Sequence, residues 1–454
     1  MMELRDSQLG AVAKLCEPGR THAALWAEPR SGKTAVALRW LSHIMPRVVV
    51  VVGPKSAEAV WKTECAKWLS CDYRFFPLTK GNDYPLDSSW CDGLNVMFVN
   101  YEQFTRLPYK RLGPFLRKLS KTLGKQGAMV LDESHIIKTP NSVTGRTIRL
   151  LAPDWHYRLI ITGTPVTNPS RVDEVYGQWT FMDPSIRDQW KTAGDFREHF
   201  GEWNTAKGWP ELIRPRNQAE LNKYLSKDVI TLTRSSTRVT VRKFNYNEGK
   251  ITRSLHEAML KKSIVEVKGH TCVGLNPLVR LLRMRTLLAG WLKDDEDQVV
   301  RITEASTRRL AALGKVFDRV GGKVIVSCTH LEEIRQVKRW LTRQGIAHEM
   351  IIGATKDKDY VIQRFQRLKT IRVLLVQPRT VSMAVDLSVA SDLVWYTADF
   401  NYMTFKQTSD RIKMSLAHPT VWFLCAKGTV DEDVWKTLMV DHNHLRKVLH
   451  TMGK

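Results

Sequence analysis

The chain has no apolar run approaching the ~18 residues that a bilayer-crossing helix requires; a run such as Val48 to Val52 is only strand-sized. Its opening residues, Met-Met-Glu-Leu-Arg-Asp, are charged and lack the apolar core of a secretory leader. Both absences lead to the expectation of a soluble intracellular protein without a membrane partner. Cysteine is sparse and unpatterned. Seven are present, with no Cys-x-x-Cys pair and no matching His pair, so neither a disulfide framework nor a zinc site is expected, even from Cys65, Cys71 and Cys91. Fixed-period repeats and low-complexity tracts are missing as well. Acidic residues are in deficit: 46 against 70 Lys and Arg, a formal net charge of +24. Such an excess costs self-repulsion and fits a polyanionic partner, nucleic acid above all.

What is present points to an α/β protein. The 454 residues suffice for two or three domains. Apolar β-type runs alternate with helix-length stretches twice, the pattern of parallel sheets. The first set is His22 to Trp26, Val48 to Val52, Val96 to Val99, Met129 to Leu131 and Leu159 to Ile161; the second is Val324 to Val326, Glu349 to Ile352, Val373 to Val376, Leu393 to Tyr396 and Val421 to Leu424. Between them lie Trp-rich, basic stretches such as Gly201 to Pro210 and Leu232 to Arg242. The expected organisation is a first lobe over 1–170, an irregular, partly helical insertion and connector over 171–307, and a second lobe over 308–454, with a cleft between the lobes.

His22-Ala-Ala-Leu-Trp-Ala-Glu-Pro-Arg-Ser-Gly-Lys-Thr34 ends an apolar run in a turn and then a helix-type stretch. It reads as a phosphate-binding loop: Arg30, Ser31 and Gly32 form the turn, Lys33 reaches the phosphates, and the Thr34 hydroxyl holds Mg²⁺ at a helix N-terminus. The glycine that usually leads this pattern is Ala27 here. Farther along, Ala128-Met-Val-Leu-Asp-Glu-Ser-His135 delivers two adjacent carboxylates at the end of an apolar strand, where ligands sit in open α/β sheets. Asp132 suits Mg²⁺ and Glu133 the activation of water, which together complete a nucleoside-triphosphatase site.

From here the chain resembles a family. Asp132-Glu-Ser-His-Ile-Ile-Lys-Thr-Pro-Asn141 resembles the nucleotide-hydrolysis motif of superfamily-two helicases, specifically the Swi/Snf-type DNA translocases, and Ile161-Thr-Gly-Thr-Pro-Val-Thr-Asn168 is similar to their coupling motif. Leu4-Arg-Asp-Ser-Gln8 resembles the motif whose Gln reads adenine. Val52-Gly-Pro-Lys55 with Trp61 and Glu64, and Val99-Asn-Tyr-Glu102, resemble the motifs that grip the nucleic-acid backbone. In the second half, Val326-Ser-Cys-Thr-His330 is similar to a nucleic-acid motif, and Gln363-Arg-Phe-Gln366 to the approach to its second strand region. Val376 to Leu387 occupies the place of a glycine-containing motif, with Val381, Ser382 and Ala384 instead and only Asp386-Leu387 recognisable. Gln407-Thr-Ser-Asp-Arg411 matches the start of the motif that supplies arginines to the γ-phosphate; the second arginine is replaced by Met414, with Lys413 beside it.

The resemblance implies two RecA-like parallel-sheet lobes with an ATP cleft between them. It implies catalytic roles for Lys33, Asp132, Glu133 and Arg411, and ATP contacts from Arg5, Gln8, Arg30, Ser31, Gly32, Lys33, Thr34 and His135. Thr34 and Asp132 would hold Mg²⁺. Nucleic acid would meet Pro54, Lys55, Asn100, Tyr101, Thr164, Thr329, His330, Arg379 and Thr380. Trp203, Trp209, Trp395 and Tyr396 are candidates for stacking on bases, although packing in the core is the commoner fate of such residues. The expected activity is that of an ATP-dependent DNA helicase or translocase acting on branched or forked DNA. A chain of this length is similar to compact bacteriophage and bacterial members, which implies the cytoplasm of a bacterial cell or phage-infected host. An RNA helicase, and a nucleic-acid-binding scaffold with weak ATPase, are the alternatives.

Overall fold

Val48 to Val52 set the character of the first half of the chain. All five are fully buried, and they point alternately into two apolar cores, Val48, Val50 and Val52 into one and Val49 and Val51 into the other. A strand buried on both faces belongs to a parallel sheet covered by helices. The computed structural model describes residues 3–28, 31–78, 92–105, 109–165, 173–204, 211–232, 239–381, 387–412 and 418–440. Contacts divide the chain into two units, separated in the sequence between residues 235 and 236.

The first unit contains β1 (His22–Ala27), β2 (Val48–Gly53), β3 (Tyr73–Pro77), β4 (Leu94–Asn100), β5 (Gly127–Asp132), β6 (Tyr157–Thr162), a hairpin of β7 (Gly201–Asn204) and β8 (Glu211–Pro215), and β9 (Val229–Leu232). Its main sheet runs β3-β4-β2-β5-β6-β1-β9, with every pairing parallel. The second unit contains β10 (Thr240–Tyr246), hairpins of β11 (Ile264–Val267) with β12 (His270–Val273) and β13 (Trp291–Lys293) with β14 (Val299–Arg301), then β15 (Val324–Ser327), β16 (His348–Ile351), β17 (Val373–Val376), β18 (Asp392–Trp395) and β19 (Thr420–Ala426). Its parallel sheet runs β10-β19-β18-β15-β17-β16.

All ten strands expected from the apolar runs are present. The sheet strands that sequence reading missed, β3, β9 and β10, are edge strands. An edge strand has a sheet neighbour on one side only and need not be apolar on both faces; in β10, Thr-Val-Arg-Lys-Phe-Asn-Tyr, only Phe244 is buried.

Described residues of the stretch 171–307 contribute to a core in each of the two units. Val175, Trp179, Leu221 and Leu225 pack into the first unit's core. Met259, Leu287 and Leu292 pack with Ala426 and Val430 in the second. Among the described residues no helix is long and apolar enough to cross a membrane.

The order β5-β6-β1 brings three strand C-termini side by side. The loop after β1, Asp132 at the end of β5 and Thr162 at the end of β6 therefore meet at one edge of the sheet, where open α/β sheets bind ligands.

Candidate active site

Gly32 precedes the helix Lys33–Ile44 with φ +88° and ψ +33°. An added Cβ would collide with Gln8 Nε2, so both the backbone conformation and the space demand glycine. No side chain caps this helix, so its first amides need an outside acceptor, which is an anion site. Ser31 is fully buried and its Oγ has no hydrogen-bond partner. An uncapped helix start, a lysine in its first turn and a buried, unsatisfied hydroxyl fit the phosphates of a nucleotide. Lys33 and Thr34 are half-buried at the rim; Arg30 lies outside the described residues.

The loop is braced from the helix Asp6–Leu15. Gln8 accepts from the Arg5 amide at 2.9 Å and donates through Nε2 to the Ser31 carbonyl at 3.0 Å. The Arg5 guanidinium donates to the same carbonyl. Both groups assigned to ATP thus hold the loop's backbone here, and for Gln8 to read a base it would have to exchange these bonds.

Lys33 bridges the carboxylates, 3.3 Å from Asp132 Oδ1 and paired with Glu133 Oε1. Burial works against its charge, but Asp132 and Glu133 more than offset this and hold the ammonium above the usual lysine range. Burial would likewise raise the Glu133 carboxyl; Lys33, then His135, instead hold it well below the usual carboxylate range. The pair accordingly stabilises the fold between the ordinary carboxylate and lysine ranges, and that contribution is lost as pH falls through the depressed Glu133 value or rises through the raised Lys33 value. Glu133 occupies the left-handed region at φ +55°, and its amide donates to Asp132 Oδ1 at 3.0 Å. Such a conformation costs a non-glycine residue about 1–3 kcal/mol and persists where surrounding bonds enforce it.

Beyond the carboxylates, His135 Nδ1 lies 3.4 Å from Glu133 Oε2 and 3.2 Å from Thr162 Oγ1, which accepts from the Thr164 amide at 3.1 Å. Ser134 Oγ donates to Gln178 at 2.7 Å, and Gln178 Nε2 donates to the Pro165 carbonyl at 2.6 Å. Two bridges therefore tie the acidic segment to Thr162–Pro165. Gln178 went unread in the sequence because nothing local distinguishes a glutamine in the middle of a helix.

Two residues grouped with nucleic-acid motifs turn out to serve Asp132. Trp61, wholly buried, donates from Nε1 to Asp132 Oδ2 at 2.9 Å. Tyr101, also buried, donates its hydroxyl to the Asp132 carbonyl at 2.9 Å. The ring of Tyr101, placed among the nucleic-acid contacts by the resemblance, lies in the core, and its hydroxyl proton is spent on Asp132. Pro54 is buried too, whereas Lys55 is exposed and Asn100 half-exposed. Thr164 is buried, and its Oγ1 is unpartnered.

Replacing Trp61 by Phe should keep the ring and remove the donor, leaving a buried carboxylate oxygen short of a bond worth about 1.5–3 kcal/mol. The expected result is a drop in turnover of about tenfold together with a higher magnesium requirement, as for other groups that orient a metal ligand. A magnesium titration of ATPase rate checks it; an unchanged midpoint and rate would detach Trp61 from the site.

In the second unit, the Thr329 amide donates to Thr397 Oγ1 at 3.0 Å, and its Oγ1 donates to the Thr397 carbonyl at 3.2 Å. The His330 amide donates to Glu333 Oε2 at 3.0 Å, while its ring stands edge-on to Trp291, centroids 5.3 Å apart, with Nε2 buried and unpartnered. Arg379 is exposed, and Thr380 Oγ1 bonds the Gln377 carbonyl at 2.7 Å. Arg411, 8% exposed, lies in the turn Asp410–Ile412 and donates from Nε to the Gln407 carbonyl at 3.1 Å. Trp395 and Tyr396 are buried, so they pack in the core; Trp203 is half-buried, with Nε1 on the Arg197 carbonyl at 2.7 Å. Cys91, Trp209, Ser382, Ala384, Asp386, Lys413 and Met414 lie outside the described residues.

Residues 22–271 match the SNF2-related domain, more than half of the chain, and residues 308–413 match the helicase conserved C-terminal domain. Protein CHROMATIN REMODELING 19 of Arabidopsis thaliana is 21% identical, over 93% of this chain and 65% of its own length. An uncharacterized ATP-dependent helicase of Mycoplasma genitalium is 23% identical over 98% of this chain and 42% of its own. The DNA repair and recombination protein RDH54 of Saccharomyces cerevisiae is 21% identical over 88% of this chain and 46% of its own. The chain spans less than two thirds of the length of these relatives. Among solved structures, the Sulfolobus solfataricus SWI2/SNF2 ATPase core in complex with dsDNA is similar at 16% identity and a TM-score of 0.44, covering 98% of this chain and 93% of that one. With its acidic, phosphate-loop and coupling motifs gathered at one sheet edge and that match running through more than half of its length, the chain belongs to the SNF2-related family.

Proposed function

We propose that this chain is a DNA-dependent ATPase that converts ATP hydrolysis into movement along DNA, with branched or forked DNA as its preferred substrate. The observation that carries this reading is the placement of Lys33 between Asp132 and Glu133 beside the uncapped start of helix Lys33–Ile44. Incoming phosphates compete with the carboxylates for the ammonium. As Lys33 turns to the phosphates, Glu133 loses the partner that depresses its pKa and becomes a better acceptor for the proton of an attacking water. Thr34 and Asp132 offer the hard oxygens that magnesium takes, and a bound Mg²⁺ supplies neutralisation of phosphate charge. His135, Thr162 and Gln178 connect the state of the acidic segment to the backbone of Thr164 and Pro165, which gives hydrolysis a path to the nucleic-acid contacts.

DNA as the partner is supported by the net charge of +24 and by a relative named for DNA repair and recombination. We assign the chain's work to the cytoplasm of a bacterial or phage-infected cell. The test is ATP turnover without nucleic acid and with single-stranded DNA, duplex, fork, four-way junction and RNA. DNA should stimulate with little sequence preference, most strongly as fork or junction. If about five phosphates are neutralised, binding should fall with salt with a log-log slope near −4. Turnover indifferent to DNA, or salt-insensitive binding, would overturn the reading.

A further inference from the structure

The helix Leu331–Arg343 follows Thr329 and His330 and turns two unlike faces outward and inward. Ile334, Val337 and Leu341 are buried in the second unit's core. Arg335, Lys338, Arg339, Thr342 and Arg343 are exposed and line one open depression. Their spacing of i, i+3, i+4, i+7 and i+8 is that of one helix face. Beside the stripe lies Glu332, with its side chain 7% exposed; its carboxylate is 3.3 Å from Arg335, 3.5 Å from Arg339 and 3.5 Å from Arg301 of β14. One buried carboxylate thus orients three guanidinium groups and neutralises only one charge. Lys338 and Arg343 have no ion-pair partner among the described residues.

Like charges four residues apart, Arg335 with Arg339 and Arg339 with Arg343, work against the helix that carries them. A surface needing only solubility would intersperse acids, and this one is uniformly basic. Its cations extend along about 12 Å of helix, a length over which duplex DNA presents a phosphate charge about every 1.7 Å. The guanidinium fork matches phosphate geometry, and contacts of that kind carry no base information.

We propose that the exposed face of helix Leu331–Arg343, with Arg301, is an additional contact for the phosphate backbone of duplex DNA, apart from the Thr329–His330 motif. The proposal rests on the reading of the chain as a DNA-dependent motor. It extends the second unit's grip from the loop at the helix start along the helix itself.

The test uses the full chain and a short duplex, with affinity measured across a salt series. Lys338→Glu/Arg343→Glu leaves the three partners of Glu332 in place, so its melting temperature should stay at the wild-type value. Lys261→Glu/Lys262→Glu, on the exposed end of helix Lys250–Lys262, makes the same change in net charge elsewhere. The expected result is an affinity at least about tenfold weaker for the first pair and a log-log salt slope shallower by about 2, with the control close to wild type. Lys338→Gln/Arg343→Gln should give the same change of slope with a smaller loss of affinity, should the reversal unfold the unit. Unchanged affinity and slope, or an equal loss in the control, would overturn this surface while leaving the motor reading standing. An ATPase that binds no DNA in wild-type form would overturn both.

Discussion

Glu133→Gln is expected to bind ATP and to hydrolyse it at least about 100-fold more slowly than the wild type. The amide preserves the size of the side chain and a hydrogen bond to Lys33 but cannot accept a proton, and positioned general bases contribute about 10²–10⁴-fold. Its position leaves few substitutes: Glu133 is held at φ +55° with one oxygen paired to Lys33 and the other 3.4 Å from His135. Lys33→Ala should also abolish turnover, by a different route, because it removes the cation that stabilises phosphate charge. The two variants separate in a nucleotide-binding measurement, where Lys33→Ala loses affinity and Glu133→Gln keeps it. Full activity in Glu133→Gln would remove the base from this site.

Arg411→Ala should slow DNA-stimulated hydrolysis by about 10³-fold with DNA binding nearly unchanged, the signature of a group that acts on the transition state. The turn Asp410–Ile412 and the bond from Nε to the Gln407 carbonyl tie Arg411 to the residue that opens its motif. Lys406 pairs with Asp410 on the same turn and fixes it further. With Met414 in place of a second arginine, the resemblance to the arginine-supplying motif implies that one guanidinium would carry charge that two would share. Lys413→Ala should cost less, since an ammonium lacks the bidentate fork, and Met414→Arg should raise turnover by restoring the missing group. The measurement is kcat at saturating DNA for the three variants. A wild-type rate for Arg411→Ala would transfer the role to another cation, with exposed Arg379 the first to examine.

The strands at the centre of both sheets were legible because burial on both faces demands continuous apolar residues, as in Val48 to Val52 and Val373 to Val376. The same demand is relaxed at a sheet edge, which is why Thr240–Tyr246 read as part of a basic connector. The phosphate loop and the acidic pair were legible for another reason. Their chemistry is local: a glycine that must take a positive φ, a lysine one residue on, and two carboxylates at a strand end are set by neighbours in the chain, and the residues themselves state the requirement.

Contacts made across the sheet carry no such mark. Trp61 and Tyr101 stand in segments that resemble nucleic-acid motifs, yet their polar atoms end on Asp132, 71 and 31 residues away in sequence. Gln178 joins Ser134 to Pro165 from a helix that looks ordinary in the sequence. Glu332 gathers Arg335 and Arg339 from its own helix and Arg301 from a hairpin, a grouping that helical spacing only half reveals. The sheet class, the nucleotide loop, the acidic pair and the strongly basic character each follow from residue type and local spacing. Which side chains brace those groups and which remain at the surface depends on packing, because hydrogen bonds between strands distant in sequence follow sheet order, and sheet order is a property of the packed chain.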